Sequence, residues 1–218
     1  MPKLNLSADQ VLTTTRAVRK RLDFERPVEM EIIKECLEIA LQAPSGSNAQ
    51  GWHFVVVTNS TKKQQIAELY QQSFAEYEAG PYQPTQLHTD SPEMQSTQVK
   101  VLDSARYLAT NLARAPALLI PCFAGRLDQH DTPHHLVAGT YGSTLPAVWS
   151  FMLAARERGI GTCWTTLHLS FEREIARILG IPDDFSQVAL TPIAYTKGTE
   201  FKPAPRKSLE GALHIDNW

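Results

Sequence analysis

Three stretches concentrate side chains able to do chemistry. Thr15 to Arg21 (TRAVRKR) sets Arg16, Arg19, Lys20 and Arg21 close together. An arginine presents a planar fork of donors that matches phosphate oxygens, so the run suits phosphate capture as well as an ordinary charged helix face. Ala43 to Trp52 (APSGSNAQGW) crowds Pro44, Ser45, Gly46, Ser47, Asn48 and Gln50 into one loop. A turn needs one or two such residues. This one offers several side-chain donors and acceptors beside exposed amides, which suits a planar polar ligand; the plain alternative is a polar turn. Asp128 to His135 (DQHDTPHH) gathers His130, Asp131, His134 and His135. Metal ligands must converge from rigid elements, and this polar stretch beside Pro133 reads instead as a solvated turn or the start of a helix, so no metal is expected.

Other fingerprints are missing. No GxGxxG follows a strand, and GxxxxGK[ST], GxSxG and HExxH do not occur. Gly159-Ile160-Gly161 lacks a third glycine and leads into a strand rather than a helix.

These stretches must be positioned by the elements between them. Glu29 to Gln42 repeats apolar residues at three-to-four spacing and predicts a helix stopped by Pro44. Trp52 to Thr58 is β-branched and aromatic, a buried strand. Helices are expected from Thr61 to Ala79 and from Gln95 to Ala113. Gly80 to Pro92, with three prolines, reads as a long functional or mobile loop. Ala117 to Phe123 predicts a second strand, in which Pro121 signals a bulge or an edge. Leu136 to Arg158 reads as a central helix packed on several sides, followed by a strand from Ile160 to Thr166. Ser170 caps a helix ending at Leu179 before Gly180, and Gln187 to Tyr195 is a fourth strand. Thr199 to Trp218 has no strong period and reads as an extended tail. Strands do not alternate regularly with single helices, so the expected class is α+β, in a single domain covering residues 1–218.

Composition narrows the function classes. With 218 residues, 43% of them hydrophobic, a packed core is expected. Twenty-one Lys and Arg against 23 Asp and Glu give a net charge of −2, which argues against a nucleic-acid surface. Cys36, Cys122 and Cys163 are odd in number and far apart, which predicts neither a disulfide framework nor a structural zinc site and fits a reducing, cytoplasmic setting. Met1 to Gln10 does not read as an export signal, and the longest apolar stretch, Ala115 to Ala124, is about half a membrane span. No membrane partner is expected.

An ordered set of segments makes the sequence recognisable. RAVR (Arg16 to Arg19), APSGSNAQGWHFVVV (Ala43 to Val57), LAARERGIGTCW (Leu153 to Trp164), LGIPDDF (Leu179 to Phe185) and PIAYTKG with a later arginine (Pro192 to Arg206) span nearly the whole chain. In this order they resemble the nitroreductase family of FMN-dependent oxidoreductases. The resemblance implies an α/β/α sandwich with a mostly antiparallel sheet, built as an intertwined homodimer whose tails, here 199–218, wrap the partner. It implies FMN at the dimer interface and NADH or NADPH as electron donor. It also implies ping-pong reduction of nitroaromatic or quinone-type acceptors, the partners being small aromatic molecules.

The resemblance also assigns residues. Arg16 and Arg19 match positions at the FMN phosphate, and Arg206 matches a C-terminal basic residue that reaches it. Pro44, Ser45, Gly46, Ser47 and Asn48 match a loop of the partner chain near the flavin ring, with Gln50 helping to hold that loop. Thr165, Thr166 and Leu167 match the strand end against the ring, where the Thr166 backbone N–H faces flavin N5. Two departures stand out: Ala17 replaces a common serine, and Thr166-Leu167 replaces an acidic residue followed by glycine. The cofactor does the hard step, so no catalytic side chain is expected. Phe74, Tyr77, Tyr82 and His88 could form an acceptor-selecting lid or simply pack a helix beside a mobile surface. The competing readings are a flavin-storage protein with little turnover, a reductive dehalogenase or flavin-cleaving relative, and a metal hydrolase built on the His130 cluster.

Overall fold

The computed structural model describes residues 3–128 and 131–218. In chain order the helices are α1 (Ala8–Thr14), α2 (Met30–Ala40), α3 (Ser60–Ala79), α4 (Pro92–Asn111), α5 (His134–Glu157) and α6 (Glu172–Leu179). The strands are β1 (Leu22–Asp23), β2 (Trp52–Val57), β3 (Ala117–Ala124), β4 (Ile160–Thr162), β5 (Phe185–Gln187) and β6 (Thr191–Thr196). They form one sheet in the order β1–β6–β3–β2, with β4 also paired to β6 and β5 to β3. Every pairing between these strands is antiparallel.

The period-two alternation of strand side chains sorts the core into two layers. Val55 and Val57 of β2, with Leu118, Ile120 and Cys122 of β3, face one cluster that holds Ile66, Tyr70 and Phe74 of α3 and Leu108 of α4. Trp52, Phe54 and Val56, with Ala117 and Leu119, face the opposite cluster, made with Ile33 and Cys36 of α2 and Phe151 and Met152 of α5. Helices therefore cover both faces of the sheet, as the α/β/α expectation required.

Several boundaries differ from the sequence reading. Ser7 and Gln10 close a reciprocal capping box, and α1 forms where no element was expected. The strand expected to run to Thr166 stops at Thr162, and Thr165 meets Leu190 in an isolated bridge. The expected strand Gln187 to Tyr195 is two strands, β5 ending at Gln187 and β6 starting at Thr191, both paired with β3 but one residue out of common register. Pro121 neither bulges nor lies on an edge strand; it pairs with Phe54 in unbroken register. Its carbonyl accepts from Val188 N at 3.0 Å, so its missing N–H would have pointed away from β2 and costs the β2–β3 ladder nothing. Gly80 to Pro92 is a run of turns, as expected, with one short helical turn inside it. Pro84–Gln86 makes a 3-10 turn and Ser91 caps α4, which begins at Pro92 instead of Gln95.

Candidate functional site

The basic segment is laid against β4. Val18 N donates to Thr162 O at 2.8 Å, and Ala17 bridges Thr162 in parallel. Glycine at position 161 permits this approach. A Cβ there would stand 2.8 Å from Thr196 Cγ2 and 2.9 Å from both Leu22 Cδ2 and Val18 Cγ1. Anchored by buried Val18, the segment turns Arg16 and Arg19 towards a cavity of about 250 Å³, which Ala17, Lys20, Arg21, Ser104 and Phe201 complete. Among the described residues no carboxylate lines it.

The cations divide by role. Arg21 donates to Lys197 O, Glu200 O and Gly198 O at 3.0, 2.7 and 2.7 Å and lies over the Phe201 ring, so it clamps the chain after β6. Lys20 pairs with Asp103. Arg16 donates to Lys202 O at 3.0 Å, and Arg19 makes one long bond to Ser104 Oγ at 3.3 Å. Among the described residues neither of these two has a carboxylate partner, which leaves both guanidiniums available to an anion.

Arg19 also lines a neighbouring cleft of about 290 Å³. One wall is Cys163 to Leu167; the facing walls are Tyr70, Phe74 and Tyr77 of α3, Pro84, and Val101 and Ala105 of α4. The Thr165 backbone exchanges two bonds with Leu190, at 3.0 and 2.8 Å, and its Oγ1 meets the Tyr70 hydroxyl at 2.9 Å. Burial pushes the Tyr70 phenol up to about 12, partly offset by the Thr165 bond. Burial also raises the Cys163 thiol, against the pull of Arg19, so this cysteine sits in the wall as a neutral thiol. The exposed Thr166 N–H finds no protein acceptor among the described residues. Beyond it, Leu167–Phe171 coils into a 3-10 turn that buries His168 completely.

The structure brings Arg16, Ala17 and Arg19 together with Thr165, Thr166 and Leu167 through the shared Arg19. It does not bring the other expected residues there. Gly46 and Ser47 line a separate groove of about 340 Å³ against α5. The loop is exposed and carries left-handed backbone at Ser47, Asn48 and Gln50 (φ 51°, 52° and 50°). Ser45 Oγ accepts from Gln50 N at 3.1 Å, Gln50 Nε2 donates to Asn48 Oδ1 at 3.1 Å, and Gly46 N donates to Ser143 Oγ at 2.9 Å. Both Gln50 bonds fall inside the loop, and exposed Pro44 leads into it. Arg206 is exposed, and its Nη1 donates to Pro205 O at 2.9 Å. After Lys202 the tail's hydrogen bonds are local among the described residues.

Of the expected lid, Phe74 and Tyr77 line the cleft, while Tyr82 is 78% exposed and His88 stands outside the lining. Sequence reasoning missed Tyr70, although it precedes Phe74 and Tyr77 at four- and seven-residue spacing on one face of α3. His130 lies outside the described residues. His134 and His135 open α5, exposed, and among the described residues no three potential ligands gather to hold a metal.

Known proteins match this architecture. A model of the Nitroreductase family matches residues 12–195. A nitrobenzene nitroreductase from Ectopseudomonas oleovorans is 28% identical over 199 residues, covering 83% of each chain. Among solved structures, an FMN and NADPH-dependent nitroreductase from sphigopyxis sp. strain HMH superposes with a TM-score of 0.67 at 22% identity, covering 98% of this chain and 100% of that one. An iodotyrosine deiodinase bound to FMN and 3-iodo-L-tyrosine superposes with a TM-score of 0.65 at 22% identity, covering 94% and 96%. The matched span takes in both the basic segment and the wall of the aromatic cleft, and the chain belongs to the nitroreductase family.

Proposed function

We propose that this chain is an FMN-dependent oxidoreductase that uses NADH or NADPH to reduce flat, electron-poor acceptors such as nitroaromatics and quinones. The observation that carries the reading is that Arg19 lines both a cationic cavity and a neighbouring aromatic-walled cleft. The donor set fits FMN: two guanidiniums that have no carboxylate partner among the described residues suit one terminal phosphate, and an apolar slot ending at the Thr166 N–H suits a planar ring with polar edges. When bound, the flavin supplies hydride transfer between donor and acceptor.

The protein's part is to bind, orient and exclude water. Arg16 and Arg19 hold the phosphate end. Lys202 O is tied to Arg16, so Arg206, four residues on, is within roughly 13 Å of chain reach of the same anion. Tyr70 and Thr165 fix the wall that sets how deeply a ring enters, and the Thr166 N–H stabilises charge at the ring edge. Phe74, Tyr77, Pro84 and Leu167 keep the slot dry and favour flat acceptors.

The exposed loop 44–50 is read as belonging to the site of a second copy. Ile39, Leu41, Leu136 and Trp149, exposed on or beside α2 and α5, would be covered in the same dimer. Sedimentation should give a dimer; a flavin-loaded monomer would refute that assignment. The decisive experiment for the cofactor is the absorbance spectrum of purified protein with the released cofactor identified. FMN near one per chain is expected, and FAD or no flavin would overturn the reading. The fold likeness to an iodotyrosine deiodinase supports one second reading, reductive dehalogenation in the same cleft, which iodide release from an iodophenol under NAD(P)H would reveal.

A further inference from the structure

We propose that the Tyr77 hydroxyl is the specificity-determining donor of the aromatic cleft, and that it selects flat acceptors carrying a neutral or anionic oxygen over rings carrying an ammonium group. The inference deepens the proposed function and rests on its reading of the cleft as the acceptor's place.

The cleft's side-chain hydroxyls divide by wall. Tyr70 and Thr165 bond each other across the gap at 2.9 Å, which commits both. Thr166 stands on the strand-end wall, along which the proposed reading lays the flavin. Tyr77 stands on the facing wall, seven residues and so about 10 Å further along α3 than Tyr70. It is half-buried, with its ring 6.1 Å from that of Phe74 between centroids. Its hydroxyl has no hydrogen-bond partner among the described residues. Burial raises the phenol's pKa, against the pull of Arg19, so Tyr77 meets a ligand as a neutral O–H. The polar groups around Pro84 do not compete for it. Gln83 Nε2 donates to Thr85 Oγ1 at 2.7 Å, and Gln98 Nε2 donates to Pro84 O at 3.2 Å. A phenol with an apolar body and one unspent polar tip, set in an apolar wall, suits a ligand oxygen.

The charge of the lining fixes the rest of the class. Arg19 is the cleft's cation, and among the described residues no Asp or Glu lines it. Burial keeps Cys163 and Tyr70 neutral as well. An ammonium entering here would give up water with no carboxylate to pair with it. A carboxylate, phenolate, quinone or nitro oxygen instead meets a donor in the field of a cation.

The test is a ¹⁹F NMR titration of the protein as purified with three probes of similar size: 4-fluorobenzoate, 4-fluorotoluene, which has no oxygen, and 4-fluorobenzylammonium. 4-Fluorobenzoate is expected to bind at least about tenfold more tightly than 4-fluorobenzylammonium. Tyr77→Phe should weaken 4-fluorobenzoate about tenfold, the loss of a hydrogen bond to a charged group, and leave 4-fluorotoluene within about twofold. Equal weakening of both probes, no weakening of the benzoate, or 4-fluorobenzylammonium bound as tightly as the benzoate would overturn the proposal. An equal loss of FMN affinity, read by titrating apoprotein of the same variant, would overturn it too, by giving the hydroxyl to the flavin. The spectrum of released cofactor tests the flavin reading separately: the tenfold benzoate effect in protein that carries no flavin would refute that reading and still support a cleft that selects ring oxygens through Tyr77.

Discussion

Acid should loosen the wall of the aromatic cleft through one residue. His168 is fully buried, and neither ring nitrogen finds a protein partner among the described residues. Burial alone lowers its pKa from 6.5 to about 3. In the unfolded chain the imidazole takes up a proton as pH falls through 6.5, whereas in the folded chain it stays neutral until about pH 3. Between those values the unfolded state binds more protons, so stability falls as pH falls. From pH 7 to pH 5 the loss is about 2 kcal/mol, from about 1.36 kcal/mol for each pH unit below 6.5. His168→Leu is close in volume and removes both orphaned nitrogens. It should cancel this part of the acid sensitivity and leave stability at pH 7 unchanged or higher. Urea unfolding at pH 7, 6 and 5, at one protein concentration and without added flavin, measures it. Equal acid sensitivity in the wild type and the variant would refute the reasoning.

Other expected outcomes follow from the same geometry. Arg16→Ala, Arg19→Ala and Arg206→Ala should each weaken FMN binding by about ten- to a hundredfold, the worth of a charge-assisted contact of roughly 1.5–3 kcal/mol, while His134→Ala should not; titration of apoprotein reads this, and equal effects would sink the phosphate assignment. Gly161→Ala should destabilise by about 1–3 kcal/mol, because its Cβ overlaps three side chains that hold the basic segment on β4, and a wild-type thermal midpoint would disprove that packing account. Steady-state rates with donor and acceptor both varied should give parallel double-reciprocal lines, since one cleft serves both; intersecting lines would establish a ternary complex.

What the sequence made legible is what short-range rules control. The apolar period of α2, the β-branched run of β2 and the Gly180 stop all lie where local propensity and side-chain alternation put them. The stops of β4 and β5 were not legible. The apolar run Gln187 to Tyr195 stays alongside β3 throughout, and what divides it is one extra residue between the Gln187–Cys122 and Thr191–Leu119 pairs, where Leu190 bonds Thr165 instead. Two-residue β1 was missed because such a strand has no pattern of its own; it exists by pairing with Thr196 and Tyr195. The candidate site divides in the same way. RAVR and Thr165 to Leu167 could be named from their types, but only the fold shows that Arg21 is spent on three carbonyls while Arg16 gives one bond to Lys202 O and Arg19 one to Ser104 Oγ. His168 gave no signal, since nothing in a lone histidine's neighbours along the chain announces total burial.

The loop 44–50 carries a cost that one chain does not explain. Left-handed backbone at a non-glycine residue costs about 1 kcal/mol or more, and Ser47, Asn48 and Gln50 all adopt it in an exposed segment. Such conformations persist where surroundings over-determine them, and here the visible restraints are few: Ser143 on Gly46, Ser45 on Gln50, and Gln50 on Asn48. Yet the loop stands exposed beside a groove that Gly46 and Ser47 line together with Gly139 and Ser143 of α5. A loop shaped for its own chain would relax into ordinary turn geometry, whereas one shaped for a ligand held by another copy has reason to stay strained. On the proposed reading the cationic and aromatic half of the site belongs to one protomer and the polar, strained half to its partner, so flavin affinity and dimer affinity should rise and fall together.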